Sequence, residues 1–208
     1  MKLLITFVTS MAIAASCHAA TGMFGSFLFV DTNQNSVIDG PGEFYGANEP
    51  DPDTLTPLQG ANFGSFVQGS SVILAGEILT FKNTGGDVFD QNFVNWRVYA
   101  TSQTPGAFSN FKLGFTSNAA FSGADGQTYS GSGDQKWAQP ASNPNILAGL
   151  TPGSYSLEVF FSGNSNQGAF FNNNGGSNYI ASFTVTPEPS RAMLMAFGLL
   201  GMIFRRRR

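Results

Sequence analysis

Four stretches of this chain alternate apolar and polar side chains with a period of two, the pattern of a strand with one buried face. Val94, Trp96 and Val98 alternate with Asn95 and Arg97, and Phe111, Leu113 and Phe115 alternate with Lys112 and Gly114. Tyr155, Leu157, Val159 and Phe161 alternate with Ser156 and Glu158, and Tyr179, Ala181, Phe183 and Val185 with Ser182 and Thr184. Residues 23–30, 64–67, 71–74 and 78–82 bring the number of strand-like runs to about eight. Turn formers separate them: Asn83-Thr84-Gly85-Gly86, Pro105-Gly106, Pro152-Gly153 and residues 172–176. No helical periodicity is sustained outside the two ends. The pattern predicts an all-β domain, an antiparallel β-sandwich of immunoglobulin-like or jelly-roll type.

Both ends of the 208 residues read as processing segments, so the length predicts one domain rather than two. The expected organisation is a signal peptide over residues 1–20, the β-sandwich over 21–186 and a C-terminal tail over 187–208. The central span is long enough for a single hydrophobic core.

Charge is divided unevenly. Between Thr21 and Thr186 the basic residues are Lys82, Arg97, Lys112 and Lys136, against twelve Asp and Glu, a net of −8. Such a domain is repelled by phosphate backbones, which argues against nucleic acid as a partner. The single Cys and single His are Cys17 and His18, both inside the expected signal peptide. Cleavage after Ala19 or Ala20 removes them. The mature domain then has no disulfide, no cysteine nucleophile, no Ser-His-Asp triad and no ordinary zinc site.

Residues 1–20 carry the three parts of a secretory signal: Lys2, an apolar run over 3–15, and the small residues of Ser16-Cys17-His18-Ala19-Ala20. Cutting after Ala19 places Cys17 and Ala19 at the −3 and −1 positions. Two other readings are an uncleaved anchor helix and a lipoprotein signal acylated at Cys17. The apolar run is short for the first, and the usual Leu at −3 is missing for the second.

The C-terminus reads Thr186-Pro187-Glu188-Pro189-Ser190-Arg191, then an uncharged run over 192–204, then Arg205, Arg206, Arg207 and Arg208. As a helix that run is about 20 Å long, short of a ~30 Å hydrocarbon core. Arginines resist translocation, so the tail is expected to be a transmembrane helix acting as a stop-transfer segment, with the domain outside and Arg205–Arg208 inside. The Pro187-Glu188-Pro189 tripeptide, the apolar helix and the terminal arginines together resemble the PEP-CTERM sorting tail of Gram-negative bacteria. The resemblance covers residues 186–208. It implies recognition by an exosortase, an integral-membrane cysteine transpeptidase-like enzyme that cuts near the tripeptide. It also implies an inner-membrane precursor that becomes a cell-surface or matrix protein associated with exopolysaccharide and biofilm. A plain tail anchor is the alternative. Both place the domain outside the cytoplasm.

Residues 147–161 contain Leu150-Thr151-Pro152-Gly153-Ser154-Tyr155. This is similar to the Leu-x-Pro-Gly-x-Tyr strand entry of extracellular sandwich modules. With Gly133-Asp134-Gln135-Lys136-Trp137 and residues 178–185, it implies a fold rather than a function.

Asp31, Asn33, Asn35 and Asp39 set oxygens at alternate positions, a spacing that wraps a hard cation such as calcium. Ser36 stands where an EF-hand loop has its turn glycine, Gly42 where it has its bidentate Glu, and Glu43 follows one residue late. An Asx-rich turn explains the same residues. Calcium is the one cofactor suggested. Trp137, in an expected loop, is the better sugar-stacking candidate, and Trp96, between Val94 and Val98, reads as core. Glycoside hydrolysis needs a pair of carboxylates, for which Asp87 with Asp90 or Asp125 with Asp134 are the nearest candidates. Asp51 and Asp53 sit in an extended proline-bounded loop. With no active-site motif the expected function is non-enzymatic: an exported surface or matrix protein served by signal peptidase and exosortase. A calcium-dependent carbohydrate-binding or adhesion module and a secreted polysaccharide-active enzyme are the alternatives.

Overall fold

A computed structural model describes residues 19–48, 55–139 and 144–188, and these are all-β. Strand β1 (Thr21–Val30) pairs antiparallel with β2 (Phe44–Asn48) on one side and β5 (Leu74–Lys82) on the other. The sheet continues from β5 to β10 (Asp134–Ala138) and then to β7 (Ser109–Ser117). At β7 it curls. Gly114, Phe115 and Ser117 pair with β10, whereas Ser109 to Leu113 pair with β6 (Asn92–Ala100). Beyond β6 lie β11 (Gly153–Ser165) and β13 (Tyr179–Thr186), and β12 (Gly168–Asn172) pairs with the second half of β11.

One segment joins the two ends of this curled sheet. β3 (Thr56–Pro57) pairs with β2, and β4 (Asn62–Val67) pairs with β13, both in parallel. The sheet is therefore mixed, which corrects the purely antiparallel expectation. Neither pairing joins hairpin neighbours, and parallel strands need a longer connection than a hairpin turn. Between β3 and β4, Leu58 is fully buried and donates its N–H to Gly46 O at 2.7 Å. On the other side, Ser182 N–H reaches Ala61 O at 2.8 Å. The Tyr45 and Phe63 rings, one from each end, sit 4.8 Å apart.

The alternation read from the sequence sets the interior. Leu28, Ile78 and Trp137 from one half of the curl meet Val94, Leu157, Val159, Phe161 and Phe183 from the other. Burying each large side chain contributes about 1.5–3 kcal/mol. Residues 71–74 and 78–82, expected as two strands, are served by the single strand β5 from Leu74 onward. Gly76 is not a break. A Cβ there would lie 2.7 Å from Val94 Cγ2 and 3.2 Å from Phe27 O, so glycine permits close packing between layers.

The outer face of β1 and β5 is covered as well. A short hairpin, β8 (Phe121–Ser122) and β9 (Thr128–Tyr129), lays Phe121 and Tyr129 over Phe27, Leu79 and Phe24. Strands buried on both faces lose their alternation, which accounts for the unbroken buried run from Leu74 to Thr80.

Among the described residues no helix is long and apolar enough to cross a membrane. The expected tail helix over residues 192–204, together with Pro189, Arg205, Arg206, Arg207 and Arg208, lies outside the described residues. So do Cys17, His18, Asp51 and Asp53.

Candidate functional site

The outer face of β6, β11, β12 and β13 follows from the same alternation that fills the core. Residues paired across strands share a face, so the registers Phe93–Ser162–Phe171, Asn95–Phe160, Arg97–Glu158–Ile180 and Tyr99–Ser156–Ser182 form four rows pointing outward. Phe171 is 59% exposed and Ile180 36%, while Phe93, Tyr99 and Phe160 are half-buried. Arg97 organises the centre. Its Nε and Nη2 donate to Glu158 Oε2 and Oε1 at 2.8 and 2.9 Å, and Nη1 donates to Gly106 O at 2.9 Å. Its guanidinium carbon lies 4.1 Å from the Phe108 ring centre and 5.9 Å from that of Tyr99. Phe108 packs edge-on to Phe160 at 5.0 Å. Asn178 Nδ2 completes the shell of Glu158 at 2.6 Å, and Asn95 Nδ2 donates to Ser162 Oγ at 2.9 Å. Beside Tyr99 opens a groove of about 590 Å³, lined by Thr101, Gln103, Thr151 and Ser154 among others. The face carries aromatic rings interspersed with amides and hydroxyls. Its central charge is already neutralised.

Trp137 is not part of any such surface. It lies on β10, is 3% exposed, donates Nε1–H to Thr80 Oγ1 at 2.9 Å and packs edge-on to Phe115 at 5.2 Å. The expectation of an exposed sugar platform at Trp137 is corrected: a residue expected in a loop is a strand residue facing the core. Trp96 packs against that core, as read from its neighbours.

Asp31, Asn33, Asn35 and Asp39 do share one loop, and its geometry is an interlocked set of side-chain-to-backbone bonds. Asp31, fully buried, accepts N–H bonds from Asn35 at 3.1 Å and Ser36 at 2.9 Å. Asn33 Oδ1 accepts from Asn35 N–H at 2.9 Å, and Asn35 Oδ1 from Val37 N–H at 2.8 Å. Asn35 Nδ2 donates to Asp39 Oδ2 at 3.1 Å. Glu43, one residue late for an EF-hand ligand, closes the loop. It is 4% exposed and accepts from Asn33 N–H at 3.4 Å and Asp39 N–H at 3.0 Å. Gln34 and Ser36 have φ of 61° and 65°, so the chain reverses twice without glycine. The side-chain acceptors are all oxygens, the ligand type calcium requires. Among the described residues, however, no three Asp, Glu, His or Cys side chains are grouped so as to hold a metal ion. Any cation here would depend on amide and backbone oxygens too.

Asp87, Asp90, Asp125, Asp134 and Glu77 are each engaged. Asp87 pairs with Lys82 at 3.0 Å and Asp90 with Lys112 at 2.6 Å, both at the surface. Asp125 accepts from Tyr129 O–H and from Gln127 N–H at 3.1 Å, and Asp134 accepts from Gly131 N–H at 2.8 Å. Glu77 is 3% exposed, and its pKa is raised by burial, against the opposing hydrogen bond and charge of Lys136. Burial likewise raises the Tyr45 hydroxyl, with the nearby Glu43 charge adding to it, and the Tyr179 hydroxyl.

At the ends, Pro187 and Glu188 are exposed just after β13, and Ala19 and Ala20 are half-buried just before β1. In comparisons with known proteins, no family model matches the chain and no curated protein matches it.

Proposed function

We propose that the chain is an exported, non-enzymatic surface or matrix protein whose outer β6–β11–β13 face binds neutral polysaccharide. Export and sorting by an exosortase rest on the two ends of the sequence: the apolar leader before Ala20, and the Pro187-Glu188-Pro189 tail ending in Arg205–Arg208. The glycan reading rests on one observation, the outward-facing, half-buried rows around Arg97 in which rings alternate with amides and hydroxyls. Aromatic faces stack on sugar C–H surfaces, and Asn and Ser side chains serve sugar hydroxyls. The ion pair to Glu158 leaves Arg97 little charge for an anionic ligand, and a domain of net charge −8 repels acidic polymers.

The sandwich architecture belongs to the same proposal. A single core draws on both halves of the curl, and Tyr155 O–H bonds back to Thr151 O at 2.8 Å. Such a tyrosine corner is a habit of immunoglobulin-like sandwiches.

Affinity electrophoresis of the exported protein through gels containing neutral or acidic polysaccharides tests the reading. Retardation by at least one neutral glycan is expected, reduced about tenfold by Phe160→Ala or Tyr99→Ala, since a stacked ring contributes on the order of 1 kcal/mol or more. Retardation unchanged by both substitutions removes this face from the function.

A second reading, a calcium-dependent module, is favoured by a different observation. The buried carboxylates of Asp31 and Glu43 have no cationic side chain among the described residues. Lys82, Arg97, Lys112 and Lys136 are paired with Asp87, Glu158, Asp90 and Glu77. Buried charges are ordinarily paired or bound to metal. Millimolar calcium should then raise the melting temperature of the protein, and Asp31→Asn should abolish the increase; no increase in the wild type ends this reading.

A further inference from the structure

Ala20 is, among the described residues, the first that the fold holds by hydrogen bonds. Its N–H donates to Asn83 Oδ1, and its carbonyl accepts the Asn83 N–H at 3.0 Å. The two bonds close a ring between the start of β1 and the turn that follows β5. That turn is shaped around Ala20. Gly86 N–H returns to Asn83 O at 2.9 Å, and a Cβ on Gly86 would stand 2.7 Å from Ala20 O and 2.9 Å from Thr21 Cγ2. Only a residue without a side chain lets the turn lie this close. Ala19, one residue earlier, makes side-chain contact at most: a Cβ on Gly85 would lie 3.4 Å from its Cβ.

We infer that the leader is removed by hydrolysis of the Ala19–Ala20 bond, and that the new amino terminus is stapled to Asn83. The inference rests on reading residues 1–20 as a secretory leader, which left the bonds after Ala19 and after Ala20 both open. Water adds across the broken C–N bond: Ala19 leaves as a carboxylate and Ala20 gains the ammonium. The staple survives this change. An ammonium is purely a donor and Asn83 Oδ1 purely an acceptor, so the bond becomes charge-assisted and strengthens. A cut one residue later would remove both bonds at once.

The test uses the full chain, expressed in a Gram-negative host, with N-terminal sequencing and intact mass of the exported product. A start at Ala20 is expected. A start at Thr21, or at any other residue of a cleaved product, overturns the inference while leaving export intact. Retention of residues 1–20 overturns the leader reading itself. A second readout addresses the staple. Exported protein exposed to an aminopeptidase should lose Ala20 about tenfold more slowly than its Asn83→Ala counterpart, because trimming follows the population of the detached end. Equal rates would show that the terminus is not held by Asn83.

Discussion

Glu77 Oε2 lies 2.7 Å from Lys136 Nζ on the neighbouring strand, with the two side chains 4% and 19% exposed. The pair sits under the β8–β9 hairpin and fastens it. Ala124 N–H donates to Glu77 Oε1 at 2.9 Å, and Lys136 Nζ donates to Ser122 O at 2.7 Å. The hairpin that carries Phe121 and Tyr129 is therefore bonded to the sheet through this ion pair as well as packed on it through its rings.

Stability should depend on pH through Glu77. Burial raises its pKa, with Asp125 adding to the rise, while the Lys136 bond and charge and the Ala124 N–H oppose it. A raised carboxyl binds its proton more tightly in the folded state than in the unfolded one. Its contribution is therefore full below the ordinary glutamate range and lost as pH rises through the raised value. Glu77→Gln cannot titrate. Urea unfolding of both proteins across that range should show the wild type losing stability relative to Glu77→Gln as pH rises. Parallel curves would mean that Glu77 ionises alike in both states.

Gly76→Ala should destabilise by about 1–3 kcal/mol, the cost of forcing a methyl into a filled core. The collision is with Val94 Cγ2 at 2.7 Å, so Val94→Ala in the same protein should recover part of the loss. Additive losses in the double variant would place the strain elsewhere, at Phe27 O.

Trp137→Phe should cost roughly 1–3 kcal/mol, from the lost indole bond to Thr80 Oγ1 and the volume left in the core. Polysaccharide retardation should be unchanged once the protein is folded. Loss of binding with unchanged stability would restore the sugar-stacking role that the burial of Trp137 removes.

Much of this fold is legible in the sequence because strands with one solvated face announce themselves. Val94, Val98, Leu157, Val159, Ala181 and Phe183 alternate with polar partners and do face the core. β5 and β10 were harder to read for the opposite reason. β5 is buried on both faces, so alternation vanishes, and Gly76 imitates a break. Trp137 follows Asp134-Gln135-Lys136, a polar run that reads as loop although Lys136 points to Glu77 and Gln135 is 5% exposed. The closure by residues 56–67 depends on two parallel pairings, one of them between β4 and β13 far apart in sequence, for which local composition carries no signal. The outer face was hidden too. Its rings, Phe93, Tyr99, Phe160 and Phe171, come from three strands and become one surface only through register. Glu43 stands one residue late when spacing is counted along the chain, whereas the turn at Pro41–Glu43 brings it back over Asn33 and Asp39.

Arg97→Lys tests whether the guanidinium positions the outer face or merely carries charge. Lysine keeps the charge but loses the fork that holds both Glu158 oxygens, the bond to Gly106 O and the planar contact with Phe108. Glu158, 5% exposed, keeps Asn178 as a partner, so the loss in stability should be about 1–3 kcal/mol rather than that of an abandoned charge. A cycle with Glu158→Gln should show coupling of comparable size, since the two residues touch. If Arg97 positions the rings, Arg97→Lys weakens retardation by neutral polysaccharide, and added salt leaves the wild-type retardation nearly unchanged. If instead it binds the glycan as a charge, lysine preserves binding and salt abolishes it, because an exposed ionic contact is screened within about 8 Å at physiological ionic strength.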